Sequence, residues 1–138
     1  LNKIILSDNT NDADIKKDVT NFVTGANIFL KKVPDPHRYG VPVFDKKDKK
    51  KIITIEEKPV KPKSDFAVVG LYMYDGKVFD HIRGIKPSVR GEMEITDLNN
   101  YYLKKEQLHW SELKGFWTDA GTFDSLFLAN KYWAEKKA

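Results

Sequence analysis

The order of the apolar segments near the start of the chain constrains the fold more than any other feature. Residues Lys3–Leu6 form a continuous apolar run, which is typical of a strand buried on both faces. After Asp14, apolar residues recur with helical spacing until Gly25, and Ala26–Val33 has the pattern of a second strand. Strand, helix and strand in this order predict a parallel βαβ crossover.

The remaining segments continue this mixture of strands and helices. Gly40–Phe44 and Lys51–Glu57 indicate a β-hairpin, and Pro59–Ser64 indicates an ordered loop. The patterns also predict a long strand, three helices and two short strands, at Phe66–Tyr74, Val78–Ile85, Glu94–Lys105, Thr122–Lys137, Trp110–Leu113 and Phe116–Trp117. We therefore expect an α/β fold with a β-hairpin insertion, in a single domain over residues 1–138.

Size and composition exclude several classes of protein. With 138 residues, the chain is long enough for one hydrophobic core, and 41% of its residues are hydrophobic. It has no cysteine, so disulfides and cysteine-ligated zinc are excluded. No apolar run approaches the roughly 20 residues of a membrane-spanning helix, and Leu1–Asp12 lacks the pattern of a signal peptide. We expect a cytoplasmic protein without a membrane partner.

The positive charge does not indicate a nucleic-acid partner. The formal net charge is +4, but only three of the 24 cationic residues are arginine, the residue that bidentate phosphate and base recognition favours. The densest basic block, Lys46–Lys51, lies between two predicted strands and fits a solvated hairpin tip. A polyanion-binding module based on these lysines is the weaker alternative.

The glycines exclude the usual phosphate-binding loops. The eight glycines are so spaced that no two lie within five residues of each other. Neither a Gly-x-Gly-x-x-Gly loop nor a P-loop fits the sequence. If these 138 residues bind phosphates, another element must hold them.

Four short clusters carry candidate functional groups. Asp8 and Asp119 each follow a predicted strand, and two such carboxylates at one place would suit Mg²⁺, although each alone also fits a turn or helix cap. Glu57 could bind sugar hydroxyls and Lys58 a phosphate, whereas the simpler alternative is a solvated strand end with a local ion pair. The fourth cluster, Arg90-Gly91-Glu92, also fits a turn before a helix.

Taken in order, longer motifs add information that no single cluster gives. The motifs are Asp35-Pro36-His37-Arg38-Tyr39-Gly40-Val41, Glu56-Glu57-Lys58-Pro59, Pro62-Lys63-Ser64, Ala67-Val68-Val69-Gly70-Leu71-Tyr72-Met73-Tyr74-Asp75, Lys86-Pro87-Ser88-Val89-Arg90-Gly91-Glu92-Met93-Glu94-Ile95-Thr96-Asp97-Leu98-Asn99 and Trp117-Thr118-Asp119-Ala120-Gly121-Thr122. This series resembles the motifs of the sugar-1-phosphate nucleotidyltransferases, and within that family it most resembles the glucose-1-phosphate thymidylyltransferases.

The resemblance implies a fold, a reaction and a cofactor. The fold would be the C-terminal part of a Rossmann-like domain, with a mixed, mostly parallel sheet flanked by helices. The family joins a sugar 1-phosphate to a nucleoside triphosphate and releases pyrophosphate, so catalysis consists of alignment and charge neutralisation. By resemblance, Asp8 and Asp119 would hold Mg²⁺, and Lys58 would contact the sugar phosphate near the reacting centre.

The resemblance also implies a set of sugar-binding residues. Glu57 would bind the sugar together with the backbone of two residues, two tyrosines and a charged pair; these are Gly40, Val68, Tyr39, Tyr72, Arg90 and Glu92.

One departure from the family pattern limits what the chain can do. The family's glycine-rich, arginine-containing loop, which wraps the triphosphate, is absent from this sequence. We therefore expect the sugar-binding part of such an enzyme, inactive alone, with most nucleotide contacts made by a missing N-terminal part. Exposed sheet surface would favour a homo-oligomer. A non-catalytic sugar-phosphate-binding or regulatory domain is the alternative.

Overall fold

The computed structural model describes residues 3–87 and 91–137. It contains eight strands, four α-helices and a short 3₁₀ turn at Pro36–Arg38. The strands are β1 (Lys3–Ser7), β2 (Thr10–Asn11), β3 (Ala26–Lys32), β4 (Gly40–Phe44), β5 (Ile52–Glu57), β6 (Phe66–Asp75), β7 (Leu108–Glu112) and β8 (Trp117–Thr118); the helices are α1 (Lys16–Asn21), α2 (Val78–Gly84), α3 (Ile95–Lys104) and α4 (Phe123–Lys136).

Among the described residues, β6 is the centre of a six-stranded sheet: β5-β4-β6-β3-β7 are neighbours in this order, and β1 also pairs with β6. It pairs with β3 along one edge, while β1 and β4 share its other edge. On that shared edge, β1 pairs with residues 71–75, and β4 pairs with Val68. A break between the two partner strands therefore lies beside Val69 and Gly70.

The predicted fold class is confirmed as a mixed α/β sheet with flanking helices, and β1 and β3 are parallel as predicted, but another strand lies between them and the sheet is not mostly parallel. Strands β1 and β3 run in the same direction, yet β6 lies between them and is antiparallel to both. Within the described residues, only the β3–β7 pairing of the main sheet is parallel, so the sheet is not mostly parallel. Apolar runs indicate burial on both faces, and they do not encode the direction of a neighbouring strand.

Strand β1 is more exposed than its apolar sequence predicts. Among the described strands it pairs with β6 alone, and Ile5 and Leu6 are 44% and 46% exposed. The expectation of a strand buried on both faces is therefore wrong for this chain. Phe123 and Phe127 on α4 are exposed as well. The homo-oligomer stays a prediction.

Both faces of β6 are packed, as the alternation of its side chains requires. Val69, Leu71 and Met73 belong to a cluster that also contains Phe22 and Phe29. Val68 and Tyr74 point to the opposite face of β6 and belong to two other clusters, which involve α2, α3 and the hairpin. Other members of these two clusters are Ile28, Leu30, Ile55, Leu98 and Tyr102. The central strand is thereby fixed from both sides.

The local turn signals of the sequence are confirmed. The hairpin forms between β4 and β5. Gly25 has φ +82°, and a Cβ there would lie 2.3 Å from the carbonyl oxygen of Gln107, so both the conformation and the space favour glycine. Thr122 caps α4 by accepting a hydrogen bond of 3.1 Å from the Ser125 amide.

In the described part of the chain, no helix has the length and apolarity needed to cross a bilayer.

Asp12 joins the small β2–β8 sheet to α4. Its carboxylate accepts hydrogen bonds from the Phe116 amide at 2.7 Å, the Lys136 ammonium at 2.7 Å and the Tyr132 hydroxyl. The Lys136 and Tyr132 bonds, followed by the Phe116 amide bond, lower the pKa of Asp12 from 3.8 to about 2. The charged form of Asp12 is therefore favoured by folding.

Acid should weaken this connection in a predictable window. Because the folded-state pKa of Asp12 is depressed, its stabilisation is present above pH 3.8 and is lost as the pH falls toward about 2. We expect Asp12→Asn to lower the free energy of unfolding at pH 7 and to make its decline between pH 4 and pH 2 shallower. Urea unfolding at several pH values measures this.

Asp80→Asn is the control, because Asp80 forms an exposed ion pair with Arg83 at 2.8 Å and such pairs contribute little. The same acid dependence in Asp12→Asn and in the wild type would contradict the prediction.

Candidate active site

A cleft of about 380 Å³ lies over the middle of β6. Val68, Gly70 and Tyr72, which project from the same face of that strand, line it. The other lining residues come from the loop after β1, the 3₁₀ turn, the end of β5, the start of α3 and the segment before α4; they are Asp8, Asn9, Arg38, Tyr39, Gly40, Glu57, Lys58, Ile95, Thr96, Trp117, Asp119 and Gly121.

Eight of the ten site residues predicted from the sequence line this one cleft. They are Asp8, Tyr39, Gly40, Glu57, Lys58, Val68, Tyr72 and Asp119. Arg90 lies outside the described residues. Glu92 is exposed in the bend before α3 and is not among the residues that line the cleft. Residues from distant parts of the sequence thus meet at the break in the edge of β6.

Asp8 is held directly against the backbone of β6. Its amide donates to the carbonyl oxygen of Gly70 at 3.0 Å, which continues the β1 pairing by one residue. A Cβ on Gly70 would lie only 1.6 Å from Asp8 Oδ1. The carboxylate of Asp8 therefore occupies the space that any other residue at position 70 would fill.

Asp119 lies in the turn between β8 and α4, and each of its oxygens has partners. Oδ1 accepts from the Gly121 amide at 3.2 Å. Oδ2 accepts from Arg38 Nη2 and from the Tyr39 hydroxyl, both at 3.3 Å. Partial burial raises the pKa of Asp119, but these bonds, the Ser125 side chain and the Arg38 charge outweigh burial and lower it below its ordinary value. Asp119 is therefore ionised at neutral pH.

The two aspartates suit Mg²⁺ by their chemistry. They offer hard carboxylate oxygens, and no group of three or more acidic, histidine or cysteine residues that could hold a metal ion occurs within residues 3–87 and 91–137. Mg²⁺ typically takes one or two carboxylates and leaves its remaining positions to water and substrate phosphates. An open cleft with Asp8 and Asp119 fits that requirement.

Glu57 is oriented by a residue that the sequence analysis did not select. The buried hydroxyl of Thr96, at the start of α3, donates to Glu57 Oε2. A Cβ on Gly40 would lie 3.2 Å from that hydroxyl and 3.5 Å from Glu57 Oε2, so the backbone of β4 approaches both groups closely. The other oxygen of Glu57 faces Lys58 Nζ at 4.0 Å. One carboxylate oxygen is thus fixed by the protein, and the other lies near the amine.

Lys58 occupies an unusual backbone conformation at the cleft. Its φ is +43°, in the left-handed region that non-glycine residues rarely adopt. The Lys58 amide donates to the carbonyl oxygen of Tyr39 at 3.0 Å, which fixes this turn to the neighbouring strand. The side chain is 50% exposed, so the ammonium can reach a ligand in the cleft. Strain of this kind is concentrated at functional sites in proteins.

Two tyrosines complete the cleft as neutral hydroxyl groups. Burial and the nearby Asp119 carboxylate raise the pKa of Tyr39 to about 12, and its ring packs edge-on against Trp117 at 5.6 Å. Burial, together with the charges of Asp8 and Glu57, raises the pKa of Tyr72 well above its ordinary value. Both hydroxyls therefore keep their protons at neutral pH.

A sequence profile described as nucleotidyl transferase matches residues 3–136. The chain belongs to the nucleotidyl transferase family. It is 51% identical over 110 residues to a glucose-1-phosphate thymidylyltransferase of Xanthomonas campestris pv. campestris strain B100, an alignment that covers 78% of this chain and 37% of that relative. A glucose-1-phosphate thymidylyltransferase of Mycolicibacterium smegmatis is 47% identical over 112 residues, which cover 80% of this chain and 38% of the relative. This nucleotidyl transferase chain thus spans well under half the length of these curated relatives.

Solved structures agree with the fold. A Bacillus anthracis protein, assigned as a glucose-1-phosphate thymidylyltransferase and crystallised with sucrose, is 47% identical and superposes with a TM-score of 0.83 over 94% of this chain and 54% of that one. An apo UDP-glucose pyrophosphorylase superposes with a TM-score of 0.84 over 99% of this chain and 55% of that one. At 19% identity, the second likeness shows the fold alone.

Several residues that line the cleft are not indicated by the sequence patterns. They are Asn9, Arg38, Gly70, Ile95, Thr96, Trp117 and Gly121. Gly70 had a usable signal, because a glycine inside an apolar strand often marks a close approach of another group. Arg38 and Thr96 stood inside the motifs, next to residues that were selected, but no sequence pattern indicates which carboxylate each would meet.

Gly70→Ala should disturb the nucleotidyl transferase cleft at one atom. The new Cβ would displace the carboxylate of Asp8, so we expect binding of Mn²⁺, used as a probe for Mg²⁺, to weaken by about tenfold. Electron paramagnetic resonance of free Mn²⁺ measures the affinity. Gly84→Ala is the matched control, because a Cβ there meets nothing within 4 Å. Equal Mn²⁺ affinity in both variants would show that Asp8 does not contact the ion.

Proposed function

We propose that this chain supplies the sugar-phosphate and Mg²⁺ side of a nucleotidyltransferase that makes a nucleoside diphosphate sugar. The full reaction would join glucose 1-phosphate to a thymidine nucleotide and release pyrophosphate. The observation that carries the proposal is the meeting of Glu57, Lys58, Asp8 and Asp119 in one cleft. The 51%-identical relative, named glucose-1-phosphate thymidylyltransferase, supports the choice of sugar and nucleotide.

The wall formed by Gly40, Glu57 and Thr96 suits a sugar. Glu57 can accept hydrogen bonds from sugar hydroxyls while the Thr96 hydroxyl keeps its carboxylate in place. The absence of a side chain on Gly40 leaves its backbone open to the ligand. Val68 and Tyr72 give the floor an apolar surface for the sugar ring, together with one neutral hydroxyl. A few well-oriented polar groups beside apolar surface are typical of specific ligand sites.

The charged residues of the cleft suit a phosphate. The ammonium of Lys58 lies one residue from Glu57, so a sugar held by Glu57 would place its phosphate near Lys58. The reaction requires an oxygen of that phosphate to attack the α-phosphorus of the nucleoside triphosphate, with pyrophosphate leaving. Lys58 would neutralise charge and orient the attacking group, which is the main task in phosphoryl and nucleotidyl transfer.

Asp8 and Asp119 would hold the metal ion. Mg²⁺ bound there would neutralise phosphate charge during transfer. The hydrogen bonds to Asp119 and the contact of Asp8 with Gly70 keep both carboxylates in the cleft before any ligand arrives. The 138 residues include no glycine-rich loop for the triphosphate, so we propose that the nucleotide is bound mainly by parts of the protein outside this sequence and that this chain alone does not turn over.

Binding of glucose 1-phosphate to the 138-residue chain tests the sugar-phosphate site. We expect saturable binding by calorimetry, and we expect Lys58→Ala to weaken it by about tenfold because a charge-assisted contact is lost. Lys63→Ala is a matched control: Lys63 follows the same strand and pairs with Glu56 at 2.7 Å, and neither residue lines the cleft. Unchanged binding in Lys58→Ala would refute the role of Lys58.

A turnover assay tests the second part of the proposal. The chain is mixed with glucose 1-phosphate, deoxythymidine triphosphate and Mg²⁺, and pyrophosphate release is followed. We expect no efficient release. Efficient release would contradict the proposal that the chain is inactive alone, and the absence of any saturable binding by the wild-type chain would contradict the sugar-phosphate site itself.

A further inference from the structure

Arg38 connects the candidate metal ligand Asp119 to a second carboxylate. Its Nη1 lies 2.9 Å from Asp35 Oδ2, and its Nη2 lies 3.3 Å from Asp119 Oδ2. The arginine is the last residue of the 3₁₀ turn, Tyr39 follows it directly, and the guanidinium lies 5.5 Å from the centre of the Tyr39 ring. Nη1 of the guanidinium is thus held by Asp35, which is not a candidate metal ligand, while Nη2 contacts the candidate ligand Asp119.

The Arg38 branch occupies one of the two Asp119 oxygens that could bind a metal ion. Oδ1 of Asp119 is taken by the Gly121 amide, and Oδ2 receives both Arg38 and the Tyr39 hydroxyl. A divalent cation that binds Oδ2 would compete with Nη2 for the same lone pairs and would repel the guanidinium charge. Both cannot keep their best geometry at once.

The balance of charge in the cleft supports an exchange of partners. Five of its lining residues have a formal charge: three acids, Asp8, Glu57 and Asp119, and two bases, Arg38 and Lys58. Lys58 faces Glu57, and Arg38 faces Asp119. Adding a divalent cation makes the cleft net positive, which is the charge that an incoming phosphate requires.

We infer that Arg38 is a positioning residue that holds Asp119 while no metal is bound, and that its Nη2 turns to a substrate phosphate when Asp119 coordinates the metal. This inference rests on the proposed metal and sugar-phosphate site. Asp35 keeps the guanidinium beside the cleft in both states, because its bond to Nη1 does not involve Asp119. The Arg38 side chain is 41% exposed and its guanidinium is planar, so the group can reorient and bind two phosphate oxygens.

The test measures two affinities that should move in opposite directions. Mn²⁺ binding to the 138-residue chain is followed by electron paramagnetic resonance at constant ionic strength. We expect Arg38→Gln to bind Mn²⁺ roughly two- to fivefold more tightly, the amount that a partly exposed ion pair contributes. At saturating Mn²⁺, we expect the same variant to bind glucose 1-phosphate more weakly. Loss of structure alone would weaken both, and circular dichroism checks the fold.

Two controls isolate the Arg38–Asp119 contact. Arg83→Gln removes the same charge from a remote, exposed pair with Asp80 that has the same three-residue spacing as Arg38 and Asp35, and it should change neither affinity. Lys58→Gln removes the other cation of the cleft, and it should tighten Mn²⁺ binding less than Arg38→Gln does. Arg38→Lys keeps the charge and should give a Mn²⁺ affinity between those of the wild type and Arg38→Gln.

Asp119→Asn separates failure of this inference from failure of the proposed function. If Asp119→Asn weakens Mn²⁺ binding but Arg38→Gln leaves it unchanged or weakens it, the role of Arg38 is overturned and the metal site remains. Equal tightening by Lys58→Gln and Arg38→Gln also overturns it, since general cleft charge would then explain the effect. If Asp8→Asn and Asp119→Asn both bind Mn²⁺ like the wild type, the proposed metal site fails, and the inference fails with it.

Discussion

The contact of Asp8 with Gly70 is the constraint on which the cleft depends. Strand β6 carries β1 and β4 on the same edge, and the break between these two strands lies beside Val69 and Gly70. Asp8 ends the β1 pairing there and places its carboxylate against bare backbone. A side chain at position 70 would fill this space, and β1 could not then deliver its aspartate to the residues at the end of the hairpin. The position of Asp8 in the cleft therefore depends on how β1 pairs with β6.

Much of the fold could be predicted from local patterns, because those patterns are set by local physics. The apolar alternation of β6, the hairpin between β4 and β5 and the Thr122 cap of α4 each depend on residues close in sequence. Strand direction was not predictable in this way. A central strand is apolar on both faces whether its neighbours are parallel or antiparallel. The sequence pattern therefore does not indicate that β6 lies between β1 and β3. The exposure of Ile5 and Leu6 was missed for the same reason, since it depends on which elements cover β1.

The candidate site divides along the same line. The sequence alone indicates acids at strand ends and a lysine before a proline as candidate functional groups, and the resemblance of the motifs suggests a role for each of them. Most of the residues predicted in this way line one cleft. What the sequence could not give was the set of partners that orient these groups. Thr96 lies 39 positions from Glu57, and Arg38 lies 81 positions from Asp119. Such contacts depend on how the hairpin, α3 and the turn before α4 are packed around β6, and no local spacing encodes them.

The left-handed backbone at Lys58 has a consequence for how this site can change. Glycine or asparagine would fit φ +43° with less strain, so selection for stability alone would tend to remove the lysine from this position. The proposed contact of the Lys58 ammonium with a phosphate and the strain of the Lys58 backbone therefore impose opposite requirements on one residue. If variants at position 58 were selected for heat resistance alone, we would expect residues other than lysine to be enriched. Selection for binding of a sugar phosphate would retain the lysine. At position 58, the residue that would be best for stability differs from the residue that the proposed phosphate contact requires.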